Sequence, residues 1–210
     1  PIVDAGAVPP LVRLMGNGTP AQREQACGAL RNIASTHDEV RETIIRANAL
    51  PALVVLVAKG TAEQVEQAAG LLKNLAAYKR NDVGLQPPAV AMLSAIANAG
   101  AIDPLISVLL RDTGRSLQKE LATGALRFIA RAQKVAKAIS YAGAIPPLVK
   151  MLSAEGGTQA TREHAAGALR HLALQEAYQV VIVRVGACGP LVSLMQNGSS
   201  TQADEAAYAL

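Results

Sequence analysis

Hydrophobic positions in this chain fall into short runs at helical spacing, and the runs recur as a block. Residues 142–173 read AGAIPPLVKMLSAEGGTQATREHAAGALRHLA. A small-residue hinge opens a proline-started apolar segment, a polar loop follows, and a longer amphipathic run closes on GALRHLA. Weaker copies begin at Ala5, Ala47, Ala99 and Val185. The hinge positions are Gly6, Asn48, Gly100, Gly143 and Gly186, at intervals of 42, 52, 43 and 43 residues. Self-similarity at such a period indicates an array of like units, each burying its apolar face against the next.

Each part of the block has a physical reason. A chain that leaves one helix and turns sharply into another needs a residue at positive φ. Glycine adopts it without strain, and asparagine, which stands at position 48, tolerates it best among the others. Pro9, Pro51, Pro104, Pro146, Pro147 and Pro190 follow the hinges, in the first turn of the next helix, where the missing N–H costs nothing. Leu11, Val12, Leu14 and Met15, and again Leu148, Val149 and Leu152, then supply an apolar stripe.

Taken in order, residues 1–4 read as the tail of a helix. Residues 7–16 form a short helix, Asn17-Gly18-Thr19-Pro20 breaks it, and residues 21–35 form a longer one. Thr36 and Glu39 have capping-box spacing, which predicts a helix from there to about Ala47. The second copy gives helices to about Lys59 and over 62–77. About ten extra residues separate Asn74 from the next hinge, and 79–88, with Lys79-Arg80-Asn81-Asp82, Gly84 and Pro87-Pro88, have the composition of a loop. An exposed loop or a lengthened helix end is expected there.

Two short helices and a long third within about 42 residues, closing on ACGALRNIA, AAGLLKNLA, ATGALRFIA and AAGALRHLA, resemble the armadillo-repeat family over essentially the whole chain. HEAT repeats, with two helices per unit, fit less well. The resemblance implies an all-α, right-handed superhelical α-solenoid of three-helix repeats. The expected division is one array over 1–210, with repeats at about 1–35 (partial), 36–81, 82–133, 134–176 and 177–210 (truncated).

In that family the third helices line a concave groove that holds an extended partner segment. Aligning the closures gives a reference column of Gly28, Gly70, Gly124, Gly167 and Tyr208. In importin-like members this column is Trp, and the residue four further on is an Asn that bonds the partner backbone. Asn32 and Asn74 match that Asn, whereas Phe128 and His171 replace it, and the chain has no Trp. The glycine column looks more like the adaptor-type members, so a non-enzymatic interaction scaffold is expected. An importin-like transport adaptor, or the armadillo segment of a larger enzyme such as a ubiquitin ligase, remains the alternative.

A second regularity is independent of any family. Glu24, Glu66, Glu120, Glu163 and Asp204 stand four residues before the reference column. Arg31, Lys73, Arg127 and Arg170 stand three after it. Seven residues at 100° bring the two sets within about 20° of one another, so stacked repeats carry an acidic and a basic ladder on one face. Two readings stay open: a face in which neighbouring repeats neutralise each other, and an amphoteric groove for a mixed-charge or acidic extended segment. Both ladders, with Arg131 and the reference and Asn columns, form the candidate peptide-binding set. The basic ladder is expected to face solvent, so that reversing it to Glu spares the fold.

Composition narrows the picture. Half the residues are hydrophobic, but there is one Phe, no Trp and four Tyr, so Ala, Leu, Val and Ile fill the core and no large cofactor pocket is expected. The net charge of +4 is too mild for a polybasic nucleic-acid binder, and nucleic acid is not an expected partner. Cys27 and Cys188 read as isolated reduced thiols. No signal peptide, membrane span, catalytic set, phosphate loop or metal cluster is apparent, and His164 and His171 lie too far apart to pair on a metal. No cofactor, metal or small-molecule substrate is expected. Asn17-Gly18-Thr19 and Asn197-Gly198-Ser199 match a glycosylation acceptor but suit turns equally well. A cytoplasmic or nuclear location is expected. Opening on Pro1 and stopping inside a third helix at Leu210, the chain is expected to lie within a longer array or to associate end to end.

Overall fold

A computed structural model describes residues 5–78, 85–112, 114–153 and 155–210. Among them the chain is all helix, in the order α1 (Val8–Asn17), α2 (Pro20–Ala34), α3 (Asp38–Arg46), α4 (Leu50–Lys59), α5 (Ala62–Ala76), α6 (Pro87–Asn98) and α7 (Ile102–Leu110). There follow α8 (Ser116–Ile129), α9 (Gln133–Tyr141), α10 (Ile145–Lys150), α11 (Gln159–Ala173), α12 (Glu176–Arg184), α13 (Cys188–Asn197) and α14 (Ser200–Ala207). The long helices α2, α5, α8, α11 and α14 pack successively against each other, and α1, α4, α7 and α10 form a second stack against them. The result is an all-α solenoid.

All five hinges carry the expected conformation. Gly6, Gly100, Gly143 and Gly186 have φ between 72° and 84°, and Asn48 reaches 62°. One contiguous core runs from Val8 to Ala209, and its largest fully buried side chains are almost all Leu and Ile. Alanines at the contact faces, such as Ala68, Ala69, Ala122, Ala165 and Ala166, are fully buried and keep the long helices close.

The breaks within repeats are capping devices. Thr19, Thr61 and Ser199 cap α2, α5 and α14 in full capping boxes with Gln22, Gln64 and Gln202. Both Asn-Gly-Thr/Ser triplets therefore consist of the last residue of one helix, its C-cap glycine and the N-cap of the next. Glutamines at this third helical position also join neighbouring repeats. Gln64 Nε2 donates to the Pro20 carbonyl at 2.9 Å, Gln118 to Ala62 at 2.7 Å and Gln202 to Gln159 at 2.8 Å. Each thus ties its helix to the first turn of the preceding long helix.

One local expectation is corrected, and at Pro87-Pro88 the lengthened helix end is found instead of the loop. Thr36 does not cap α3: its hydroxyl donates back to the Ile33 carbonyl at 2.7 Å, and the helix starts two residues later, with His37 as N-cap and no side-chain cap bond. Pro87 and Pro88 are not loop residues. They open α6, whose 12 residues exceed the 9 of α3, α9 and α12, and Leu85 packs against the core just ahead of it. Proline suits a first turn as well as a loop. The remainder of the expected insertion, 79–84, and the expected helix tail at 1–4 lie outside the described residues.

Candidate functional site

An open polar depression of about 680 Å³ lies between the long helices α2 and α5. Gln25, Gly28, Arg31, Asn32, Ser35, Gln67 and Asn74 line it. Asn32 is exposed and Asn74 half-buried. Asn74 Nδ2 donates to the Arg31 carbonyl at 2.9 Å, so one side of its amide is spent on the neighbouring helix.

The glycine column is explained by what lies on it. A Cβ at Gly70 would stand 2.5 Å from Arg31 Nε, and one at Gly167 2.5 Å from Arg127 Nε. At Gly124 it would meet the Lys73 Cδ at 3.0 Å and the His164 ring at 2.9 Å. Each glycine is therefore a seat on which the basic side chain of the preceding repeat lies flat. Tyr208 breaks the series and substitutes a ring: the Arg170 guanidinium carbon sits 4.2 Å from its centroid, a cation–π contact. Gly28 differs, since its nearest neighbour would be Gln67 Oε1 at 3.5 Å.

The basic ladder is not uniformly solvent-facing, which corrects that expectation. Arg127, whose side chain is only 16% exposed, bonds Glu163 at 2.9 Å and Glu205 at 2.5 Å. Glu205 also takes Arg170, at 3.2 Å. Two arginines and two carboxylates from α8, α11 and α14 thus neutralise one another, with the Glu205 side chain only 11% exposed. Arg127 also lies over the Phe128 ring at 5.8 Å, and its Nη1 is 3.2 Å from His164 Nδ1. At the other end matters differ. Arg31 donates only to Gln67, at 3.3 Å, and neither Arg31 nor Lys73 is in an ion pair among the described residues. Burial first, then Arg31 and Arg127, hold the Lys73 ammonium below its ordinary pKa, against an upward pull from Glu120 and Glu163.

The acidic ladder is divided as well. Glu66 lies 4.0 Å from Arg115, Glu120 accepts the Thr158 hydroxyl at 2.7 Å, and Glu163 holds Arg127, while Glu24 is half-buried and Asp204 exposed. Arg131 donates to the Tyr78 carbonyl at 2.6 Å, tying α8 to the end of α5. Phe128 is half-buried at the edge of the core, with the His164 ring 6.4 Å away, and His171 is half-buried in the last turn of α11.

Sequence reasoning missed His164 and Glu205. Both occupy the sixth position after the N-cap, where Gln25, Gln67 and Leu121 stand in other repeats. The alternation of glutamine, histidine and glutamate opposite a constant basic residue was the available signal. Burial, then Lys73 and Arg127, push the His164 pKa down to about 3, so it is neutral and Nδ1 accepts. Cys27 is buried, its thiol pushed up to about 12, which makes it a core residue. Among the described residues no cluster of His, Cys, Asp and Glu could hold a metal, and no single helix is long and apolar enough to cross a membrane.

Comparison with known proteins gives a consistent family of matches. The armadillo/β-catenin-like repeat model matches residues 1–35, 37–77 and 135–174. An engineered protein solved by crystallography is 31% identical over 100% of this chain and 80% of its own, with a TM-score of 0.87. A designed armadillo repeat protein in complex with the peptide (KR)4 is 26% identical over 99% of this chain and 82% of its own, with a TM-score of 0.80. A computationally designed armadillo repeat protein for modular peptide recognition is 25% identical over 96% and 80% of the two chains, with a TM-score of 0.81. No curated protein matches the sequence.

Proposed function

Because the chain belongs to the armadillo-repeat family, we propose that it is a protein-interaction scaffold that captures an extended peptide segment along the face of its third helices. The observation that carries this is the depression between α2 and α5, whose lining is amide, hydroxyl and guanidinium from two successive repeats. Such groups satisfy a partner's backbone, and repetition along the solenoid lets several weak contacts add. Likeness to designed proteins that recognise peptides supports the same reading. Asn32 and Asn74 bond the partner backbone, Phe128 and His171 give local specificity, and the charged ladders select a mixed-charge or acidic segment. No step of chemistry is assigned to the chain, and a cytoplasmic or nuclear setting suits its reduced thiols.

The test is selection of binders from a displayed library of unstructured peptides, followed by titration of the selected peptides. Asn32→Ala should weaken them at least tenfold while leaving helicity unchanged, since Asn32 is exposed and holds no side-chain bond. Equal affinity for wild type and Asn32→Ala, or no peptide recovered at all, would remove the proposal.

A further inference from the structure

The two halves of the third-helix face differ in their electrostatics, and the difference selects a ligand. In the half built by α8, α11 and α14, the Arg127 and Arg170 charges are already answered by Glu163 and Glu205. In the half built by α2, α5 and α8, Arg31 and Lys73 lie over Gly70 and Gly124 and are in no ion pair among the described residues. We propose that Arg31 and Lys73 form a subsite for an acidic side chain of the bound segment, whose carboxylate makes the direct ion pair that these two cations do not make within the chain. The inference rests on the proposed peptide-capture reading and names the residue class that its first subsite takes.

Several observations converge on this placement. The two cations occupy the same column in adjacent repeats, each laid over the glycine of the next long helix. Both are half-buried, so a carboxylate set between them exchanges partial desolvation for charge-assisted hydrogen bonds. The glycine seats fix the two stems against the helix behind, so the head groups are pre-positioned and little side-chain freedom is lost on binding. Gln67, the neutral residue that Arg31 touches, stands where Glu205 stands against Arg170, so this repeat lacks the internal carboxylate that closes the other subsite. The acidic ladder does not substitute for it. Glu66 and Glu120 are engaged by Arg115 and Thr158, and although Glu120 and Glu163 pull the Lys73 pKa upward, neither forms an ion pair with it among the described residues.

Fluorescence anisotropy with labelled (ES)4 and (KS)4 peptides decides the matter. The wild-type chain should bind (ES)4 at least tenfold tighter than (KS)4, with affinity falling as salt rises. Arg31→Gln/Lys73→Gln should abolish that preference, Arg31→Lys/Lys73→Arg should keep most of it, and Arg46→Gln on α3 should leave it unchanged. Circular dichroism of each variant separates loss of the subsite from loss of fold. Unaltered (ES)4 binding by a folded Arg31→Gln/Lys73→Gln variant, or preference for (KS)4, would overturn the subsite while leaving peptide capture intact. Failure to bind either peptide, together with failure of library selection, would overturn the capture reading itself.

Discussion

Alanine at Gly70 and at Gly167 should have opposite consequences, although the two glycines occupy the same place in their helices. Replacing a glycine inside a helix with alanine gains about 1 kcal/mol of intrinsic propensity. At both sites the new Cβ falls 2.5 Å from an arginine Nε, so the arginine must leave its seat. Arg31 then surrenders one 3.3 Å hydrogen bond to Gln67 on a half-exposed surface, worth about 0.5–1 kcal/mol. Gly70→Ala should therefore be close to neutral. Arg127 surrenders Glu163 and Glu205, and Glu205 is left buried with Arg170 alone. Breaking a buried pair outright costs about 3–5 kcal/mol, and because Arg170 and water recover part of it, Gly167→Ala should lose about 1–3 kcal/mol net. Gly28→Ala serves as the reference: its Cβ meets nothing closer than 3.5 Å and should gain about 1 kcal/mol. Urea denaturation followed by far-UV circular dichroism, fitted with a nearest-neighbour repeat model, gives the ranking. The expected order of stability is Gly28→Ala, then wild type and Gly70→Ala together, then Gly167→Ala. A Gly167→Ala variant as stable as wild type would refute the seat and the network built on it.

Two further outcomes follow from other parts of the fold. Asn48 holds φ at 62°, so Asn48→Ala should lose about 1–2 kcal/mol while Asn48→Gly should lose nothing, read from thermal melting midpoints. His164 has a folded-state pKa of about 3, below the ordinary 6.5, so on acidification the unfolded chain takes up its proton first. Its contribution is complete above about pH 6.5 and is lost as pH falls toward 3, at a slope approaching about 1.4 kcal/mol per pH unit. His164→Gln should flatten the stability profile in that window, and an unchanged slope would show that His164 is not the titrating group.

Much of the fold was legible because it rests on local chemistry repeated in register. A residue at positive φ followed by a first-turn proline defines the hinge wherever it occurs, so all five turns and the long helices could be placed from the residues alone. Thr36 was misread because capping-box spacing also suits a threonine whose hydroxyl returns to the helix just ended. Pro87-Pro88 left a loop and a lengthened helix end both open because proline marks loops and helix starts alike. The site was less legible for a different reason. The columns of charge were visible, but the partner of each charge lies one or two repeats away, and Arg127 reaches Glu205 across 78 residues of sequence. Position within one helix gives no measure of that reach, so it could not show which half of the basic ladder is spent internally.

The central claim, capture of an extended segment on the third-helix face, is tested most directly by site-specific photocrosslinking to a selected peptide. A benzophenone side chain would replace Gln25, exposed at the rim of the depression on α2, and Val55 or Met195, both exposed, on the second helices α4 and α13. The account predicts crosslinks from Gln25 and none from Val55 or Met195. Crosslinks from Val55 or Met195 alone would place the partner on the opposite layer of the solenoid and contradict it.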